Sequence, residues 1–285
     1  MSELAKRVIV SLIAAPTAIA ASWYGGAALA ALLGIIAAVG AWEVGRMARE
    51  QGVRPLAVGV ALAAAVPLLV QAYYEHVYAL PLSVAAVVLV LLLGAAVWLR
   101  GVDGRPLAAV AVTVFAVLYT GGTLAFAYGL RYHQYTVDRA GGTALLFLPI
   151  VLTWASDIGA YFVGRAAGRH KLIPAVSPGK TVEGALGGVA ATVLLAWAYV
   201  ELVLRPAAHL TLRPASIVLF GVVISVAAQL GDLAESLLKR DAGVKDSSNL
   251  LPGHGGVLDR VDSLLFVLPI AYLLLDRFRL LVAAP

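Results

Sequence analysis

The sequence predicts an all-α, polytopic integral membrane protein with about nine transmembrane helices. Three observations carry that expectation. Apolar residues make up 61% of the 285 and charged residues only 13%, against roughly half and a quarter in a soluble domain. The mean hydropathy is +0.92. The apolar residues also come in runs of about 20, the length a helix needs to cross a bilayer, parted by short polar breaks.

The runs place helices at 8–24, 26–46, 56–74, 80–99, 107–130, 144–164, 184–204, 215–238 and 263–281. The first follows Lys6-Arg7 and opens like a signal peptide, but its apolar run continues through Ala21 and further spans follow, so it reads as a retained span. Gly25-Gly26 separates it from the second. The later breaks fall at 49–55, around Glu75-His76, and at 100–106, 131–142, 165–181, 205–214 and 239–262. No fixed-period repeat and no soluble domain interrupts them. The organisation is therefore N-terminal transmembrane helices over 1–140 and a C-terminal catalytic transmembrane region over 141–285, with loops 165–183 and 239–262 on the cytoplasmic side.

That side follows from charge. Of the 21 Lys and Arg residues, 15 fall on the side of the N-terminus, and the positive-inside rule makes that side cytoplasmic. The expected location is the cell inner (plasma) membrane, multi-pass, with the N-terminus and active site in the cytoplasm. The net charge of +5 fits this bias and a bilayer with anionic lipid, and no nucleic-acid partner is expected. The chain has no cysteine, which excludes disulfides and thiolate metal sites. A metal here uses oxygen or imidazole ligands, which favours magnesium-like ions.

Three constellations break the apolar pattern. Asp232, Glu235, Ser236 and Lys239 share one helix face at i, i+3, i+4 and i+7, and two carboxylates one turn apart can share a hard cation. Charge inside an apolar run is expensive, which favours function over a solvated helix end. The second constellation is Gly253-His254-Gly255-Gly256 with Asp259-Arg260 and Asp262-Ser263. Glycines let backbone N–H groups approach an anion, and the two aspartates start the ninth span. The third runs from Ser156-Asp157 through Tyr161 and Arg165, on one face, to Ser177-Pro178-Gly179-Lys180-Thr181. Asp157 is expected to be buried in the sixth span. Gly-Lys-Thr suggests a P-loop, but the glycine required five residues earlier is Pro174, and no strand is expected ahead of it. Lys180 and Thr181 can still bind phosphate. Glu183 is a candidate helix cap, Glu43 a candidate i, i+3 partner of Arg46, and Gly164, Gly168, Gly184 and Gly188 fit small-residue helix packing.

Ser236-x-Leu238-Lys239-Arg240, Lys245-Asp246 and Pro252-Gly253-His254-Gly255-Gly256-x-x-Asp259-Arg260-x-Asp262-Ser263 together resemble the signature of the CDP-diglyceride synthetases, or phosphatidate cytidylyltransferases. The resemblance is sharp over 156–263. One departure is Gly179, where the family often carries a second lysine. The resemblance implies that CTP and phosphatidic acid react to CDP-diacylglycerol and pyrophosphate. It also implies a homodimer in a lipid bilayer and a need for magnesium, with or without a second cation. Asp232 and Asp259 match the metal carboxylates, and Glu235 and Asp262 are candidates to assist. Lys239, Arg260 and Asp246 join Asp232 and Asp259 as expected catalytic residues. The expected substrate-binding residues are Ser177, Lys180, Thr181, Arg240, Lys245, His254, Gly255, Gly256 and Asp157. Three alternatives stay open: a related transferase for another lipid phosphate, a CTP-dependent lipid kinase, and an ion-coupled transporter. The concentration of charge at one face, with no internal repeat, argues against the last.

Overall fold

The computed structural model describes residues 3–76, 82–253 and 255–284. Among the described residues the chain is all-α apart from two small two-stranded antiparallel sheets. Its elements are α1 (Glu3–Tyr24), α2 (Gly26–Glu50), α3 (Val58–His76), α4 (Leu82–Leu99), α5 (Pro106–Ala116), α6 (Thr123–Arg131), α7 (Arg139–Ala167), β1 (Lys171–Ile173), β2 (Ser177–Thr181), α8 (Val182–Tyr199), α9 (Arg205–Ala208), β3 (Leu210–Leu212), α10 (Pro214–Asp241), α11 (Leu258–Asp276) and β4 (Leu281–Ala283). Wider π-type turns at Val117–Gly122 and Val200–Leu204 join α5 to α6 and α8 to α9. Among the described residues, five continuous helices are long and apolar enough to cross a membrane, and three shorter apolar helices accompany them. Residues 80 and 81, the expected start of the fourth span, lie outside the described residues.

Local chemistry sets the ends. Pro106 opens α5 at a position where no N–H is needed. Asp138 caps α7 by accepting from the Gly141 N–H at 2.7 Å, and Thr181 caps α8 through the Gly184 N–H at 3.1 Å. Two expectations change. The segment 165–183 is not a plain loop: β1 and β2 pair antiparallel, Lys171 opposite Thr181 and Ile173 opposite Ser177. The last helix spans Leu258–Asp276 rather than 263–281. It starts early because carboxylates satisfy its first N–H groups, and it ends early because 281–283 pair with β3.

The chain forms two compact units: Met1–Tyr128 with Leu238–Arg260, and Gly129–Leu237 with Val261–Pro285. In the first, α2 packs on α3 through small residues. A Cβ at Gly34 would lie 2.8 Å from the Ala64 carbonyl oxygen. In the second, α7 and α8 pack along their length, with Gly164 and Gly184 back to back and a would-be Gly188 Cβ 2.8 Å from the Ser156 carbonyl oxygen. This is the small-residue contact expected of packed membrane helices. Ser156 and Ser225 hydroxyls meet at 2.7 Å, and the Gln229 amide donates to Ser225 at 3.0 Å and to the Ala185 carbonyl at 3.1 Å. These three polar side chains inside the unit thus find partners, as an apolar setting favours.

Candidate functional site

In the second unit, α7, the β1–β2 hairpin, α8 and α10 enclose a cleft of about 520 Å³. Asp157, Tyr161, Arg165, Lys180, Gln229 and Asp232 line it, and Ser177 and Thr181 also reach it. The hairpin delivers Lys180, whose ammonium stands 2.6 Å from Asp232 Oδ2. The expected Asp157–Tyr161–Arg165 face holds, and Arg165 donates to the Tyr161 hydroxyl at 2.9 Å. Asp157 itself is exposed, not buried, because the cleft opens beside it within an otherwise apolar helix. Thr181 is the α8 cap and is 8% exposed. Glu183 is not the cap. It accepts from the Arg169 and His170 backbone N–H groups at 3.0 and 3.2 Å, and meets His170 Nδ1 at 2.5 Å, tying down the start of the hairpin. The Gly-Lys-Thr stretch lies in a strand with a short strand before it, contrary to expectation, although its glycine spacing still departs from a P-loop.

The other candidates on α10 and α11 divide. Ser236 Oγ lies 3.4 Å from Asp232 Oδ1. Glu235 is fully buried and absent from the cleft wall, so it sits in the helix interior rather than sharing the open side with Asp232. α11 passes α10 at Gly231, where a Cβ would lie 2.9 Å from the Asp262 carbonyl oxygen. The Asp262 carboxylate accepts from the Ser263 N–H at 2.6 Å.

In the first unit, Asp259 stands in a cage. Its Oδ1 takes the Lys239 ammonium at 2.6 Å. Its Oδ2 accepts from the Ser247 N–H at 3.0 Å, the Ser247 hydroxyl at 2.8 Å and the Gly256 N–H at 2.8 Å. Asp259 precedes the apolar stretch of α11. Contacts from Lys239, Gly256 and Ser247 compensate the carboxylate for its burial. The Gly256 N–H, expected to meet a phosphate, is thus turned to a carboxylate. Gly255 takes a φ of +81° and its carbonyl accepts from the Leu251 N–H at 2.9 Å, so it shapes the turn. Arg240, Lys245, Asp246 and Arg260 are exposed, and Arg240 reaches only the Val244 carbonyl at 3.4 Å. His254 lies outside the described residues.

Sequence reasoning missed the role of Glu43. It is fully buried and does not pair with Arg46, whose guanidinium instead donates to the Ser247 carbonyl at 3.3 Å. Glu43 accepts from Ser247 and Ser248 hydroxyls and from the Val257 and Leu258 N–H groups. An acid inside an apolar run was the available signal, but its partners lie more than 200 residues away in the chain. Gln229 was also missed, since one amide in an apolar helix carries no pattern.

A hard divalent cation suits this donor set. Among the described residues, no group of three or more His, Cys, Asp or Glu side chains gathers. Magnesium commonly takes only one or two carboxylates and completes its shell with phosphate and water. Asp157 and Asp232 line one cleft, and the Lys180 ammonium beside Asp232 marks a place that attracts positive charge. The residues present therefore fit such an ion.

Comparison with known proteins agrees with the signature. The model of the Cytidylyltransferase family matches residues 5–278. The chain is similar to the phosphatidate cytidylyltransferase of Pseudomonas aeruginosa, 39% identical over 282 residues, which cover 94% of this chain and 95% of that protein. It is also similar to phosphatidate cytidylyltransferases of Bacillus subtilis, 45% identical over 161 residues (55% of this chain, 58% of the other), and Haemophilus influenzae, 46% identical over 144 residues (49% and 48%). The chain thus spans about half the length of the Bacillus and Haemophilus relatives it matches.

Proposed function

Because the chain belongs to the cytidylyltransferase family, we propose that it transfers the cytidylyl group of CTP to phosphatidate, giving CDP-diacylglycerol and pyrophosphate. The observation that carries this reading is the cleft, where Lys180 and Arg165 stand with the carboxylates Asp157 and Asp232. Cations and carboxylates in one cavity suit a substrate that is itself polyanionic and metal-bound.

The chemistry asks little of a general base. A phosphate monoester has a second pKa of about 6 and is largely ionised near pH 7. One of its oxygens attacks the α-phosphorus of CTP, the bond from that phosphorus to the bridging oxygen breaks, and pyrophosphate leaves with the electron pair. The obstacle is repulsion between two anions, so catalysis rests on positioning and charge neutralisation. Lys180 and Arg165 supply fixed positive charge, and the tie of Glu183 to the hairpin holds Lys180 in place. Asp157 and Asp232 would hold magnesium, which supplies further positive charge toward the phosphates. Asp259 is retained as a carboxylate the reaction needs. The inner-membrane location, the cytoplasmic placement of both polar segments and a homodimer belong to the same proposal, the cytoplasmic placement supported by the Lys and Arg bias.

The test uses purified protein in mixed micelles with magnesium, phosphatidic acid and CTP labelled in both the base and the γ-phosphate. The expected result is base label in the lipid phase and γ-label in pyrophosphate. CDP with γ-label in the lipid would identify a kinase and overturn the proposal.

A further inference from the structure

The cytidylyl-transfer reading leaves the buried charge of Glu43 unused. Glu43, on α2, is 0% exposed. A carboxylate removed from water is costly unless hydrogen bonds or a counter-charge compensate it. Here donors do so. The Ser248 hydroxyl lies at 2.5 Å and the Val257 N–H at 2.9 Å on Oε1, with the Leu258 N–H at 2.6 Å and the Ser247 hydroxyl at 3.1 Å on Oε2. Two of these are N–H groups at the start of the 19-residue α11, where an anion is favoured. Ser247, Ser248, Val257 and Leu258 therefore gather around a side chain from a distant helix.

That same segment builds the cage of Asp259. Ser247 contributes its N–H and hydroxyl, and Gly256 its N–H, to Asp259 Oδ2. Gly256 is also where Glu43 and Ser247 crowd against the backbone, since a Cβ there would overlap both Ser247 Oγ and Glu43 Oε1. The Ser247 hydroxyl has one proton and two carboxylates within reach. The hydroxyl thus bridges them, its oxygen 3.1 Å from Glu43 Oε2 and 2.8 Å from Asp259 Oδ2. The contacts run Glu43 to Ser247, Ser247 to Asp259, and Asp259 to Lys239.

We propose that Glu43 is a positioning residue for cytidylyl transfer, fixing through Ser247 the orientation of Asp259 and of the Lys239 ammonium paired with it. The inference rests on the proposed function. A glutamine at 43 has the right shape but only one acceptor oxygen, and its NH2 would face donors. The change should loosen the loop while leaving the rest of the unit in place.

The experiment compares wild type, Asp259→Asn, Glu43→Gln, Ser247→Ala and the Glu43→Gln/Ser247→Ala double variant, each as monodisperse full-length protein, by pyrophosphate release against CTP. The expected result is a kcat about 10–100-fold lower for Glu43→Gln, the range seen when supporting partners of a site are removed. KM for CTP should move less than about threefold, because the substrate contacts are untouched. The double variant should be little worse than the more severe single one, since both cut the same path. A kcat within about twofold of wild type for Glu43→Gln, or losses that multiply in the double variant, would overturn the proposal. If Glu43→Gln does not fold, Ser247→Ala decides alone, by the same tenfold loss or its absence. Failure of the wild type to release pyrophosphate defeats the functional reading together with the inference, whereas near-normal turnover by Asp259→Asn, or failure confined to the Glu43 and Ser247 arms, defeats the inference only.

Discussion

Lys180 and Asp232 meet at 2.6 Å with 25% and 36% of their side chains exposed. A pair so open to solvent contributes little to stability, so its cost to the fold is small when broken and its value lies in charge presented to the cleft. Asp232→Asn should therefore leave the protein monodisperse in detergent with near-normal unfolding, while lowering turnover by about 10²-fold or more. Lys180→Ala should fold equally well and cost less than Asp259→Asn, because Arg165 shares the cleft and supplies a second cation. Steady-state pyrophosphate release ranks the three. A Lys180→Ala loss greater than that of Asp259→Asn would contradict this ranking and mean that Arg165 does not replace the Lys180 charge. Asp259 differs from Asp232 in being 5% exposed and held by four contacts, so its substitution should also lower thermal stability.

The β1–β2 hairpin shows what an element adds. It carries Lys180 to the cleft, and it is fastened at both ends, by Glu183 on the 169–170 backbone and by Thr181 capping α8. Thr181→Ala should cost about 0.5–2 kcal/mol through the lost cap, seen as a lower unfolding midpoint. Gly184→Leu should be worse, because any Cβ at 184 already meets the Ala160 carbonyl oxygen at 2.8 Å, and α7 and α8 would be forced apart. The helices were legible because a membrane span repeats one simple requirement over about 20 residues. The hairpin was not, because Ser177-Pro178-Gly179 is made of residues that usually break structure, and strands of three and five residues are too short to show alternation. The candidate site was legible as a set of residue types at the ends of spans. Its connections were not. Asp157 looked buried because the apolar run around it hides a cleft that only helix packing creates. Glu43 looked like a partner of Arg46 because local spacing is all a sequence displays, whereas its real partners begin at Ser247.

At the scale of the whole molecule, alternation of the expected spans puts 15 of the 21 Lys and Arg residues on one side, and the proposed cytoplasmic placement of the hairpin rests on that bias. The absence of cysteine makes this directly measurable. Ala175→Cys, in the exposed turn of the hairpin, should react with an impermeant maleimide in inside-out vesicles only. Val137→Cys, at an 89% exposed position between α6 and α7, should react in right-side-out vesicles only. The reverse pattern would put the cleft on the side away from cytoplasmic CTP.

The central claim is that the cleft holding Lys180 and Asp232 carries out cytidylyl transfer to phosphatidate. The most direct measurement counts pyrophosphate released against cytidylyl lipid formed, for wild type and Asp232→Asn side by side, with magnesium present and after chelation. Wild type should form the two products in equal amounts, the chelated enzyme neither, and folded Asp232→Asn almost none. Wild-type turnover by Asp232→Asn, or cytidylyl lipid formed without pyrophosphate, would contradict the central claim.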